Sequence, residues 1–89
     1  MIIKSVKIEK EKYHTIQEVG WSNADFYGYG IVNGKRMGTV WKFKEDGSYI
    51  FNEDFDRKVH SAARRPQRVK GMTLRELKEN IEVYFFNWW

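Results

Sequence analysis

Cysteine is absent from the chain, histidine occurs twice, and proline occurs once, at Pro66. Without thiols there is no disulfide framework and no thiolate metal site. The lack of cysteine fits a reducing compartment, and a cytoplasmic location is expected. No apolar run approaches the roughly 18 residues that a membrane-spanning helix needs. The opening "MIIKSVKIEKEK" has only a brief apolar patch and no small-residue cleavage pattern, so no secretory signal is expected. With His14 and His60 as the sole candidates for a neutral-pH base, and His60 in a loop-like stretch, catalysis is not expected. The acidic runs Glu45–Asp46 and Glu53–Asp54–Asp56 lack the loop length and glycine of a calcium site. They read as solvated turns, and neither a metal nor a cofactor is expected.

What is present is unevenly placed. The net charge of +4 divides into −1 over residues 1–56, +6 over residues 57–71 and −1 over residues 72–89. All of the excess positive charge therefore sits in "RKVHSAARRPQRVKG", which contains no acidic residue. A localised basic segment on a near-neutral body is the footprint of a polyanion partner. Four of its six basic residues are arginine, whose planar fork of donors matches phosphate. As plain structure the same run is a solvated loop, since like charges repel and Pro66 discourages a regular helix.

The chain, at 89 residues, reads as a single domain. Residues 1–56 form the sheet, 57–71 a basic loop, and 72–89 a C-terminal helix. A first strand is expected over about 2–8, with Ile2, Val6 and Ile8 alternating against Ile3, Ser5 and Lys7. Residues 9–19 read as a strand at period two, or as a short helix stopped by Gly20; Thr15 and Val19 favour the strand. "FYGYGIV" and "RMGTVWKFK" flank Asn33–Gly34, the strongest short hairpin signal there is. "EDG" then turns the chain into "SYIFN". Alternation places Tyr27, Tyr29 and Ile31 on one face of their strand, with the bare Gly28 and Gly30 on the other. Those glycines read as a sheet bend or a seat for the helix rather than as a ligand groove. Likewise Met37, Thr39, Trp41 and Phe43 share one face of the next strand, and Gly38, Val40, Lys42 and Lys44 the other.

In the last segment Thr73 and Glu76 have the spacing of a capping box, with Met72 and Leu77 as a hydrophobic staple. Leu74, Leu77, Ile81, Tyr84, Phe85 and Trp88 recur at helical spacing and define the buried stripe; Val83, Phe86 and Trp89 fall off it. The predicted fold is α+β: an antiparallel meander of four or five strands with one C-terminal helix packed on it.

Aromatic residues make up 17% of the chain, more than a domain of this size buries easily. Some are expected at the surface, as platforms for bases or anchors for a protein. The expected function is a small non-enzymatic module that binds nucleic acid, RNA ahead of DNA. Arg57, Lys58, Arg64, Arg65, Arg68 and Lys70 are the phosphate contacts. Lys35 and Arg36, with Lys42 and Lys44, extend the track, and Tyr27 and Tyr29 stack on bases. The alternative is a protein inhibitor or adaptor anchored by Trp21, Phe86, Trp88 and Trp89, or a homodimer through the C-terminal aromatics. A short, cysteine-free, aromatic-rich α+β chain of this type resembles the small accessory and anti-defence proteins of bacteriophages. That likeness is one of type and involves no specific motif. It implies a binder that blocks a host enzyme or nucleoprotein.

Overall fold

A computed structural model describes residues 2–12, 23–54 and 68–88. Among them are five strands, β1 (Val6–Lys10), β2 (Ala24–Val32), β3 (Lys35–Phe43), β4 (Tyr49–Glu53) and β5 (Arg68–Gly71), and one helix, α1 (Leu74–Trp88). The strands make one antiparallel sheet in sequence order, β1-β2-β3-β4-β5, and α1 packs on one face of it, against β5, β1 and β4. The α+β meander with a C-terminal helix read from the sequence is the observed fold. No described helix is long and apolar enough to cross a membrane.

Both turns form as their residues dictate. Asn33 and Gly34 take φ of 52° and 79°, the paired left-handed conformation of a tight primed hairpin. Asn33 has a second role that residue type alone does not reveal. Its Oδ1 accepts from the backbone N–H groups of Lys4 (2.6 Å) and Ser5 (3.2 Å), and its Nδ2 donates to the Ile2 carbonyl (2.7 Å). Residues 2–5 are thereby tied to the hairpin by a side chain, and β1 starts at Val6 rather than at residue 2. At the next turn Gly47 has φ 72°, and Asp46 Oδ1 accepts from Ser48 Oγ (2.6 Å) and Ser48 N (2.9 Å). Those bonds, the hydroxyl's foremost, hold the Asp46 carboxyl below its ordinary pKa.

The main core lies between sheet and helix. Val32, Val40, Phe51 and Val69 meet Leu77, Ile81 and Phe85, all buried. The Phe51 ring is its centre, set edge-on to Phe85 at 6.0 Å between centroids. Gly30 and Gly38 make room for this ring, whereas a Cβ on Gly28 would run into the Glu9 backbone carbonyl. A Cβ on Gly30 would lie 2.5 Å from Phe51 Cε1, and one on Gly38 2.8 Å from Cε1 and Cζ. They therefore seat a neighbouring strand's phenylalanine, and the helix then packs on that. Tyr84 is buried too, and its hydroxyl donates to the buried Glu53 carboxylate.

The helix begins as its spacing predicts. Thr73 Oγ1 accepts from the Glu76 N–H at 3.1 Å, which satisfies a donor that the first turn leaves unpaired. Met72 stays 58% exposed, so it does not close a staple over the buried Leu77. Val83 and Phe86 are exposed, off the buried stripe as expected. The Trp88 side chain and Trp89 lie outside the described residues.

Two bulges correct the predicted faces of the sheet. The β2–β3 register steps from Phe26↔Trp41 to Gly28↔Val40, and from Gly30↔Gly38 to Ile31↔Arg36. Tyr27 and Met37 are the extra residues, and an extra residue shifts the alternation by one. Tyr27 consequently turns to the helix side, where it meets Tyr49 edge-on at 5.5 Å, while Tyr29 keeps the opposite face. Met37 joins the main core instead of sharing a face with Thr39 and Trp41. A separate cluster of Ala24, Trp41 and Ile50, with Phe43 beside it, packs on the side away from α1.

Candidate nucleic-acid interface

The end of the basic run is a strand, not a loop. In Arg68–Gly71 the sequence alternates, and Val69 pairs with Phe51 and Gly71 with Tyr49, which places both on the helix side. The alternation points Arg68 and Lys70 to the other face, where both are exposed. As an edge strand, β5 is held from above: Asn80 Nδ2 donates to the Lys70 carbonyl at 2.7 Å. Gly71 sits so close under the helix that a Cβ there would be 2.6 Å from Leu77 N. Arg57, Lys58, Arg64 and Arg65 lie outside the described residues, as do His14, Trp21, His60 and most of the ambiguous 9–19 segment.

On the face opposite the helix, the register assembles a row across all five strands: Glu9, Tyr29, Thr39, Asn52 and Arg68. At about 4.8 Å per strand, Tyr29 and Arg68 are roughly 14 Å apart. Trp41, Ile50 and Lys70 form the row beside it. Trp41 Nε1 donates to Thr39 Oγ1 at 3.1 Å, which links the two rows. Arg36, exposed, lays its guanidinium over the Tyr29 ring, 3.8 Å from the centroid. That contact puts a cation on an aromatic face. Sequence spacing alone did not reveal it, because the bulge at Met37 brings Arg36 opposite Ile31 instead of leaving it on the other face.

The remaining predicted track residues do not join this surface. Lys35 pairs with the buried Val32 at the hairpin end, one alternation away from Arg36. Lys42 pairs with Tyr49 and stands over its ring at 5.7 Å, on the helix side. Lys44 lies 3.9 Å from Asp25. Tyr27 is committed to the core side, as described above. The surface thus consists of Tyr29, Arg36, Thr39, Asn52, Arg68 and Lys70.

Its electrostatics are graded. Toward β1, Tyr29 lines a groove of ≈ 440 Å³ with Glu9, Lys10, Glu11 and Lys12, a mixed set of charges. The Tyr29 hydroxyl donates to Glu11, and this bond, with burial and the carboxylate's charge, pushes the phenol above its ordinary pKa; Arg36 opposes the shift. Toward β5 the row ends in Arg68, with Lys70 beside it, and Asp46 lies near enough to Lys70 to feel its charge. Among the described residues no cluster of three His, Cys, Asp or Glu side chains could hold a metal ion.

The Tyr29 cluster makes a titration prediction. A raised phenol pKa means that the folded state holds the proton more tightly than the unfolded chain does. The resulting stabilisation is fully present below the unfolded value of about 10 and is lost as pH rises through the folded value. In phenolate absorbance titrations, subtraction of a Tyr29→Phe trace isolates this residue. Glu11→Gln should move its midpoint down and Arg36→Met should move it up. If both variants move it the same way, the contacts of the ring and hydroxyl are misassigned.

No known protein family, curated protein or solved structure matches this chain.

Proposed function

We propose that this chain is a small cytoplasmic, non-enzymatic module that binds nucleic acid, RNA ahead of DNA. The basic run 57–70 and the sheet face opposite the helix form the binding surface. The observation that carries the reading is the placement of Arg68 and Lys70. Both are exposed, and they share a face with the stacked Arg36–Tyr29 pair and with the hydrogen-bonding side chains of Thr39 and Asn52. Cations at the sheet edge neutralise phosphates. A stacked guanidinium and the polar row between offer planar and hydrogen-bonding contacts to unpaired bases. Single-stranded or looped RNA suits such a surface, since its bases can lie flat on a sheet that a duplex would only touch with its backbone.

Phosphate contacts release counterions, so affinity should fall with salt, with a log–log slope of magnitude roughly 3–5 if most of the six basic groups engage. Alanine at Arg64, Arg65 and Arg68 together should weaken binding and flatten that slope. Unchanged affinity and slope in the triple variant would overturn the reading. A second reading, a phage-type inhibitor or adaptor of a host protein, draws on the exposure of Phe86. Pull-downs from nuclease-treated lysate separate the two: partners lost after nuclease favour nucleic acid, and partners retained favour the inhibitor.

A further inference from the structure

The face of α1 turned away from the core carries a pattern that the nucleic-acid reading does not use. Arg75, Lys78, Glu79, Glu82, Val83 and Phe86 recur at spacings of three and four, so they form one stripe. Read from its start, the stripe is basic, then acidic, then apolar. Met72, just before the helix, adds an exposed apolar group at the opposite end from Phe86. The stripe borders a trough beside the N-terminal segment. A groove of ≈ 530 Å³ lies between residues 3–6 and the helix around Arg75 and Lys78. Ile3, Glu79 and Glu82 also border a second groove of ≈ 580 Å³, which is floored by Ile2, Val83 and Phe86. The Arg75 side chain is 91% exposed, and Ile2 and Phe86 are 80% and 70% exposed.

We infer that this stripe is the interface of a two-fold homodimer in which the α1 helices of two copies pack antiparallel. The order of side chains selects both the occupant and the direction. With the axis passing between Lys78 and Glu79, Arg75 of one copy faces Glu82 of the second copy. Lys78 faces Glu79 of the second copy, and Phe86 reaches the exposed Met72 at that helix's start. The two-fold repeats each contact, so the stripe is complementary to itself. Parallel packing sets Arg75 against Arg75 and Glu82 against Glu82, which repel. With that axis, helix overlaps helix over residues 74–83, about 14 Å. One helix contact of that length falls short of the ~800 Å² per partner of a standard interface, so the dimer is weak and depends on concentration. It does not involve Tyr29, Arg36, Arg68 or Lys70 on the opposite face of the sheet.

Sedimentation equilibrium of the full chain without nucleic acid tests this directly. The parent should shift from monomer to dimer with rising concentration. Arg75→Glu and Glu82→Arg, each alone, convert attraction to repulsion twice per dimer and should weaken association about tenfold or more. Both positions are exposed, and circular dichroism melts of the variants should stay near the parent's. The deciding sample is an equimolar mixture of the two variants: every 75–82 contact between unlike copies is again Arg with Glu or its reverse, so association should return. Three results would each overturn the proposal: a parent that stays monomeric, single reversals that leave association unchanged, and a mixture that fails to recover it. A face that serves a different protein or a lipid surface gives the first of these.

Discussion

Replacing Phe51 with alanine is expected to cost about 3–5 kcal/mol, the usual loss for a buried aromatic side chain. A domain of this length has roughly 4–13 kcal/mol in total, at ~0.05–0.15 kcal/mol per residue, so much of its stability goes with one ring. The melting temperature should fall by about 12 °C or more, at ~4–8 °C per kcal/mol for a domain this size. The reason is position as well as size. Phe51 is fully buried, rests on the glycines of β2 and β3, and presents its edge to Phe85 on α1. The glycines beside the ring have no side chain to move into the vacancy, and Phe85 is held by its own helix. A shift of only a few degrees would mean that the sheet–helix core is centred elsewhere.

The glycines themselves give the second large effect. Alanine at Gly30 places its methyl carbon 2.5 Å from Phe51 Cε1, in a part of the core with no exposure to yield into. Overpacking of this kind typically costs about 1–3 kcal/mol. All of the clash is with one side chain, so the penalty should largely vanish in a Phe51→Ala background, measured in sucrose to keep that background folded. Gly38 is the contrast. A Cβ there also runs into the Asn52 backbone carbonyl, which no side-chain change removes. Gly38→Ala should therefore remain destabilising whether or not Phe51 is present. Equal rescue at both positions would show that the backbone approach between β3 and β4 is looser than described.

These two glycines mark the boundary of what the sequence makes legible. Features encoded by short-range chemistry could be read directly. Asn33–Gly34 admits few conformations other than a primed turn, Thr73 and Glu76 are spaced to cap a helix, and Leu77, Ile81 and Phe85 fall on one helical stripe. The bare positions in "YGYG" are visible as gaps in the side-chain pattern, but not what lies against them, because Phe51 reaches Gly30, and the Glu9 backbone reaches Gly28, from other strands. The bulges at Tyr27 and Met37 were hidden for a related reason. A single inserted residue leaves composition and propensity unchanged while it reverses the face of everything beyond it. Unbroken alternation puts Tyr27 on the same side as Tyr29 and gives no signal for the contact of Arg36 with Tyr29. Strand β5 was obscured because it is only four residues long and two of those are cations, so charge density outweighed the alternation of Val69 and Gly71 with them. Charge alone still singles out Arg68 and Lys70 as binding candidates, and the strand gives them a direction.

The order of strands in the sheet, which matches their order in the chain, has a consequence for how the protein comes into being. Each strand finds its partner next to it in sequence, and the β2–β3 hairpin with its preformed turn needs no distant contact to begin. Topologies of such local pairing tend to fold quickly. The helix is a different matter. Synthesis runs from the N-terminus, so all five strands leave the ribosome before the segment that covers Phe51. Until α1 emerges and docks, the nascent sheet carries its apolar face uncovered, and that interval is when the chain is most exposed to aggregation.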